Sequence, residues 1–269
     1  SFSHGIALSG WAKPTASYIH PFGSIGAALG PVSFHQLALR LRSAGVPIRM
    51  ANFSLSALAA QAGRFVAPGS DPNSVLATCQ HGLHLDCNLL AGILRSEAET
   101  AGVVDIAEKF GHSEQNNDGD LNAVVSADGT RTEGDLFIDC SGTDAVLAQT
   151  VSNDDWQDWS SWLPCDRLVS GIINTNQPPL PYSHAEAINA GWIRHLPMQG
   201  RTLLNGIYQS DSYTEEQMLN ELLQSSGSNE LQHIFSGPLR FGRRNDAWQH
   251  NCIALGTAAS VIDPLAVTN

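Results

Sequence analysis

The sequence predicts a mixed α/β fold, and three observations carry that reading. Helical periodicity with capping residues recurs at separated places along the chain. Between residues 103 and 140 it gives way to consecutive short β-like runs. No internal repeat or long linker divides the chain, so helices and strands belong to one mixed architecture. A length of 269 residues (28.7 kDa), 42% of them hydrophobic, is enough for a substantial core.

Gly5 to Leu8 reads as a short strand, and Ser17 to Gly30, rich in Gly, Pro and aromatics, as a loop. Ser33 is placed to cap a helix through Leu41, and Ser54 opens a second short helix to Gly63. Asp86 to Ala101 is a third helix: Leu89, Leu90, Ile93, Leu94 and Ala98 recur at helical spacing, and Gly102 ends it. The β-like runs follow at Val103–Ala107, Leu121–Ser126, Arg131–Glu133 and Leu136–Cys140, with Asp128-Gly129 as a hairpin signal. Further strands are expected at Arg167–Asn174, Gly191–Leu196 and Leu203–Gln209. Thr214-Glu215-Glu216-Gln217 has a capping-box start for a helix to Leu223. Trp248 to Gly256 reads as one buried strand. Trp156, Trp159 and Trp162 stand three apart, which predicts a helical packing cluster.

The balance of charge narrows the function. Lys+Arg 14 against Asp+Glu 26 gives −12, which argues against nucleic acid or an anionic membrane as partner. Only Lys13 and Lys109 are lysines. No run of eighteen apolar residues exists. Cys79, Cys87, Cys140, Cys165 and Cys252 are odd in number and form no CxxC pair, so buried reduced thiols in a cytoplasmic protein are expected. Neither end has the polar composition of a frayed terminus, so the chain reads as a piece of a longer protein.

Four local constellations carry chemistry in principle. His81-x-x-His84-x-Asp86-Cys87 has metal-ligand residue types, but its spacing fits no coordination geometry, and Asp86 serves better as a helix cap. Gly134 to Gly142 is an apolar strand running into Ser141-Gly142, a turn that lets backbone approach a dinucleotide. Asn251 to Ser260 is a strand, a glycine and then small residues that suit a helix start facing an anion. Taken alone, an ordinary strand and turn is the commoner reading of the first, and any βα unit can look like the second. Arg243-Arg244 could pair with phosphate, although a solvated surface pair is the commoner outcome.

Together and in this order, eight segments resemble the flavin-dependent tryptophan halogenases. They are Phe2–Trp11, Tyr18–Gly23, Leu85-Asp86 with its helix, Asp135–Gly142, Leu163–Arg167, Gly191-Trp192 with Leu196-Pro197, Gly242–Arg244 with Trp248, and Asn251–Pro264. The resemblance covers essentially the whole chain. It implies an FAD/NAD(P)-binding, aromatic-hydroxylase-like flavoprotein fold, of which this chain is the central part. The family's N-terminal GxGxxG unit and C-terminal helical region are missing from it. Residues 34–150 would be mainly cofactor-side, 1–33 and 160–245 the substrate-side sheet, and 246–269 the flavin and halide segment.

The implied chemistry starts with reduced FAD from a separate flavin reductase. Oxygen and chloride or bromide then give hypohalous acid, which halogenates an indole or tryptophan-like small aromatic, in the family often for antibiotic biosynthesis. A lysine guides the electrophile and a glutamate helps. The resemblance puts Ser3 at the lysine position and Ala266 at the glutamate position, so both are substituted. It puts His20 and Phe22 where family aromatics sandwich the substrate ring. Ser141, Gly142, Gly256 and Pro264 fall at cofactor positions, and Thr268 and Asn269 at the halide loop, where Asn269 replaces a usual glycine. The Trp-x-Trp-x-Ile-Pro signature reads Trp192-Ile193-Arg194-His195-Leu196-Pro197. A homodimer is a further expectation. An FAD-dependent monooxygenase on the same scaffold, and a non-catalytic or truncated homologue that binds an aromatic ligand or a protein, are the alternatives.

Overall fold

The computed structural model describes residues 1–152 and 156–262. Strands β1 (Phe2–Ser3), β2 (Gly5–Ser9), β3 (Ser17–Pro21) and β4 (Gly82–Leu83) come first. Next are β5 (Phe110–Gln115), β6 (Leu121–Ser126), β7 (Arg131–Glu133), β8 (Phe137–Asp139) and β9 (Trp156–Asp158). Then β10 (Arg167–Asn174), β11 (Ser183–Ile188), β12 (Gly191–Met198), β13 (Arg201–Tyr208) and β14 (Gln232–Pro238) follow. The last are β15 (Gly242–Arg244), β16 (Trp248–Gln249), β17 (Cys252–Ala254) and β18 (Ser260–Val261). The α-helices are α1 (Phe34–Ser43), α2 (Leu55–Gln61), α3 (Cys87–Thr100), α4 (Ala148–Val151) and α5 (Glu215–Ser226). No helix among the described residues is long and apolar enough to cross a membrane.

The chain divides into two compact units, Ser1–Cys87 with Arg167–Pro238, and Asn88–Asp166 with Leu239–Asn269. The first is built on a seven-stranded sheet ordered β14-β10-β13-β12-β11-β2-β3. All its pairings are antiparallel except β11 with β2. Helix α5 lies across one face, where Met218 and Leu222 pack on Val169, Ile193, Leu204 and Tyr208. Each such fully buried aliphatic contributes about 1.5–3 kcal/mol. The helix sits close because residue 206 is glycine: a Cβ there would lie 2.5 Å from Met218 Sδ. Thr214 caps α5 as expected, its Oγ1 accepting from the Gln217 N–H at 3.2 Å while Gln217 Oε1 accepts from the Thr214 N–H at 2.8 Å.

The second unit holds three small sheets, β5-β6-β7, β16-β17-β8 and β18-β15-β9. Its core packs Leu121, Phe137, Leu147 and Cys252. Strands β8 and β17 run parallel, with Ala254 opposite Asp139 at their carboxyl ends.

The structure corrects several expectations. Residues 17–21 form an edge strand paired with β2 rather than part of a loop, because Tyr18-Ile19 is an apolar pair that the Gly and Pro around it obscure. The run at 103–107 makes no strand, and pairing with β6 selects 110–115 instead. Trp248–Gly256 is two short strands, broken where His250 takes a positive φ of 52°. The three tryptophans form no helix: Trp156 starts β9, and Trp162 is 76% exposed beyond a turn. The periodic face of α3 leaves Leu89, Ile93 and Leu94 largely exposed.

Candidate active site

In the first unit, Ser3 lies on β1 opposite Gly82 of β4. It is almost fully buried, and its hydroxyl donates to the Gly5 carbonyl at 3.0 Å. The ring of Phe22 stands over the same Gly82, where a Cβ would come within 3.1 Å of it. The fold therefore brings Ser3 and Phe22 to one glycine. His20 is exposed on β3, opposite Ile6, two residues before Phe22.

His4 holds this corner together. It is fully buried, and its Nδ1–H donates to the Gln80 carbonyl at 3.1 Å while Nε2 accepts from the Val66 N–H at 2.9 Å. Those two bonds require one neutral tautomer. Its own N–H donates to Pro181 O, and its carbonyl accepts from the Phe22 N–H. Its ring stacks on Phe65 at 5.0 Å, and Phe65 in turn stacks on Phe2. His4 was not legible in the sequence, since a lone polar residue carries no periodic signal.

The metal-like segment does not gather. His81 packs edge-on against Phe2 and Phe65, His84 Nδ1–H donates to the Pro197 carbonyl at 2.9 Å, and Asp86 pairs with Arg201. Burial lowers the His84 pKa, partly offset by the Pro197 bond. No group of three or more metal-ligating residues exists among the described residues.

In the second unit, the structure does bring Ser141, Gly142 and Gly256 together. The adjacent parallel strands β8 and β17 each end in a 3₁₀ turn, Gly142–Asp144 and Gly256–Ala258, and these two turns pack on one another. Gly142 has φ +80° and Gly256 φ +62°, values that favour glycine. Among the described residues, a Cβ on Gly256 would meet nothing within 4 Å, and one on Gly142 only Thr257 Oγ1 at 3.8 Å. The segment after Gly256 is a 3₁₀ turn and not the expected helix start.

Asp139 organises this turn. Its Oδ1 accepts from the Ser141 N–H (2.9 Å) and Oγ–H (2.6 Å), and its Oδ2 from the N–H groups of Leu147 (2.9 Å) and Ala148 (2.8 Å). Burial pushes the carboxyl pKa up, but these four hydrogen bonds outweigh it and hold the pKa below the usual value. Arg244 is buried, and its Nε–H donates to the Ala258 carbonyl at 2.9 Å, so it braces the Gly256 turn rather than standing in solvent. Ala266, Pro264, Thr268 and Asn269 lie outside the described residues.

Comparison with known proteins agrees with this geometry. The tryptophan halogenase family model matches residues 1–269. Tryptophan 7-halogenase KtzQ of Kutzneria sp. (strain 744) is 30% identical over 190 residues, 69% of this chain and 36% of that protein. Tryptophan 6-halogenase ThaL of Streptomyces albogriseolus is 26% identical over 93% of this chain and 48% of its own length. Among solved structures, BrvH, a flavin-dependent halogenase from Brevundimonas sp. BAL3, superimposes with a TM-score of 0.92 at 33% identity. The match covers 98% of this chain and 55% of BrvH. Xcc4156, a flavin-dependent halogenase from Xanthomonas campestris, gives 0.91 at 31%, over 98% and 53%. The chain thus spans about half, or less, of the length of these relatives. With the fold, the paired glycine turns and a family match along its whole length, the chain belongs to the tryptophan halogenase family.

Proposed function

We infer that this chain is the central part of an FAD-dependent halogenase. Reduced FAD, oxygen and chloride or bromide would supply the electrophile, and an indole or tryptophan-like aromatic would receive it. The observation that carries the reading is the pair of positive-φ glycine turns, Gly142 and Gly256, at the ends of two neighbouring parallel strands, with no described residue within 4 Å of a Cβ on Gly256. That is where open α/β sheets admit a dinucleotide. Ser141 holds its turn through Asp139, so the backbone of both turns, more than their side chains, would face FAD. Phe22, with His20 beside it in sequence, would flank the substrate ring.

A second reading rests on Ser3. A buried hydroxyl that donates to the Gly5 carbonyl does not supply an ammonium's charge. With Ala266 at the glutamate position, this favours an FAD-dependent monooxygenase, or a homologue that binds without catalysis. The halogenase reading carries a flavin reductase as partner, a homodimer and residues 1–33 and 160–245 as the substrate side. The five free cysteines support a reducing, cytoplasmic setting.

The test uses the full-length protein. Retained FAD and bromide-dependent turnover of indole with a flavin reductase are the expected results. Retained FAD with oxygenation that ignores bromide replaces halogenation with monooxygenation. Failure to retain FAD after reconstitution refutes both enzyme readings.

A further inference from the structure

The seven-stranded sheet carries a second group of chemistry-bearing side chains that the halogenase reading leaves unused. β11 and β12 pair antiparallel with His184 directly opposite His195. Opposed residues share a face, and the two ring centroids are 5.4 Å apart, with planes inclined by 36°. His184 is in register with Ala7 of β2, whereas His20 is in register with Ile6. Successive residues alternate faces, so the histidine pair and His20 lie on opposite faces of one sheet.

Both rings are anchored through the same nitrogen. His184 Nε2 is 2.7 Å from the Ser9 hydroxyl on β2, and His195 Nε2 is 3.1 Å from the Ser225 hydroxyl on α5. The two anchors come from different elements, so the Nε2 atoms are committed to separate partners. A serine oxygen that accepts from Nε2–H fixes that tautomer and leaves Nδ1 as a lone pair. Neither Nδ1 makes a hydrogen bond among the described residues. This is how metal-binding imidazoles are held, the far N–H donated to an outer partner. The pair opens on a pocket of about 250 Å³ that Ser17, Tyr182 and Thr202 also line. Water or those hydroxyls can complete a coordination shell there.

We propose that His184 and His195 form a two-imidazole site for a divalent late transition-metal ion, with water in the remaining positions. Nitrogen donors rank Cu²⁺ first, with Ni²⁺ and Zn²⁺ weaker. Mg²⁺ and Ca²⁺, which take oxygen ligands, do not compete.

The experiment titrates Cu²⁺ into the full-length protein with the exposed Cys87 and Cys140 alkylated, and reads affinity by calorimetry and ligand nitrogens by electron paramagnetic resonance. One ion with two imidazole nitrogens is expected. His184→Gln and His195→Gln, which keep a polar side chain for the fold, should each abolish the two-nitrogen signal. Ser9→Ala should weaken binding by about tenfold through the lost outer partner. No stoichiometric site in the parent protein, a two-nitrogen signal that survives both glutamine variants, or displacement by equimolar Mg²⁺ would each overturn the proposal.

Discussion

Replacing Asp139 with asparagine probes the turn that carries Ser141 and Gly142. The native carboxylate accepts four hydrogen bonds at 2.6–2.9 Å. An amide has one acceptor oxygen. If that oxygen faces Leu147 and Ala148, the NH₂ faces Ser141, whose hydroxyl can rotate to accept but whose N–H is orphaned. One charge-assisted bond is then lost, about 1.5–3 kcal/mol, and the survivors become weaker neutral bonds. Relief of a buried charge offsets part of this. The net expectation is a loss of about 2–4 kcal/mol, or a melting temperature roughly 5–15 °C lower.

The pH dependence gives a second readout. The folded pKa of Asp139 is depressed, so its stabilisation is present above the unfolded carboxylate pKa and is lost as pH falls through the folded value. For the parent protein that loss lies in acid, below about pH 4. The asparagine variant has no carboxylate to titrate, so the stability difference should narrow there. Thermal and urea unfolding of the full-length protein between neutral pH and pH 3 is the assay. A variant within about 1 °C of the parent at neutral pH, or a difference that does not narrow in acid, refutes this account of the turn.

Other perturbations have equally direct readouts. Gly206→Ala puts a methyl 2.5 Å from Met218 Sδ and 3.3 Å from Leu222 Cδ2 in a fully buried contact, and should cost about 1–3 kcal/mol in urea unfolding. Gly256→Ala meets no steric obstacle among the described residues but keeps a φ of +62°, so stability should drop only about 1–2 kcal/mol; if the turn receives FAD, flavin retention should fall far more, and unchanged retention counts against that placement. Thr214→Ala removes the α5 cap and should cost about 1 kcal/mol, seen as a lower urea midpoint with an unchanged slope. Iodoacetamide at pH 7.5 should label Cys87 and Cys140 well before the buried Cys79, Cys165 and Cys252 in a mass-spectrometric time course. Burial and the nearby Asp166 push the Cys165 thiol to about 11.

Local physics made much of the fold legible. Ser54 and Thr214 accept hydrogen bonds from backbone N–H groups at helix starts, as the sequence implies, and Leu121–Ser126 and Arg167–Asn174 are strands with the expected bounds. Caps and alternation depend on neighbours within a few residues, so they survive without tertiary information. Two strands missed by the sequence share one cause. Ser183–Ile188 and Gln232–Pro238 lack a strong period, and they become strands because β2, β12 and β10 offer them edges. The glycine turns were legible as segments, while Asp139's role as their acceptor was not, because four donors meet it only when β8 and α4 are in place.

Residue identity and short spacing were enough for the family, the Ser54 and Thr214 helix starts and the acidic composition, since none of these needs a distant partner. Folding alone separates His81, His84 and Asp86, brings Ser3 and Phe22 to Gly82, and sets His184 against His195. Those juxtapositions depend on strand register and order, which sequence-distant pairing sets and local spacing leaves free.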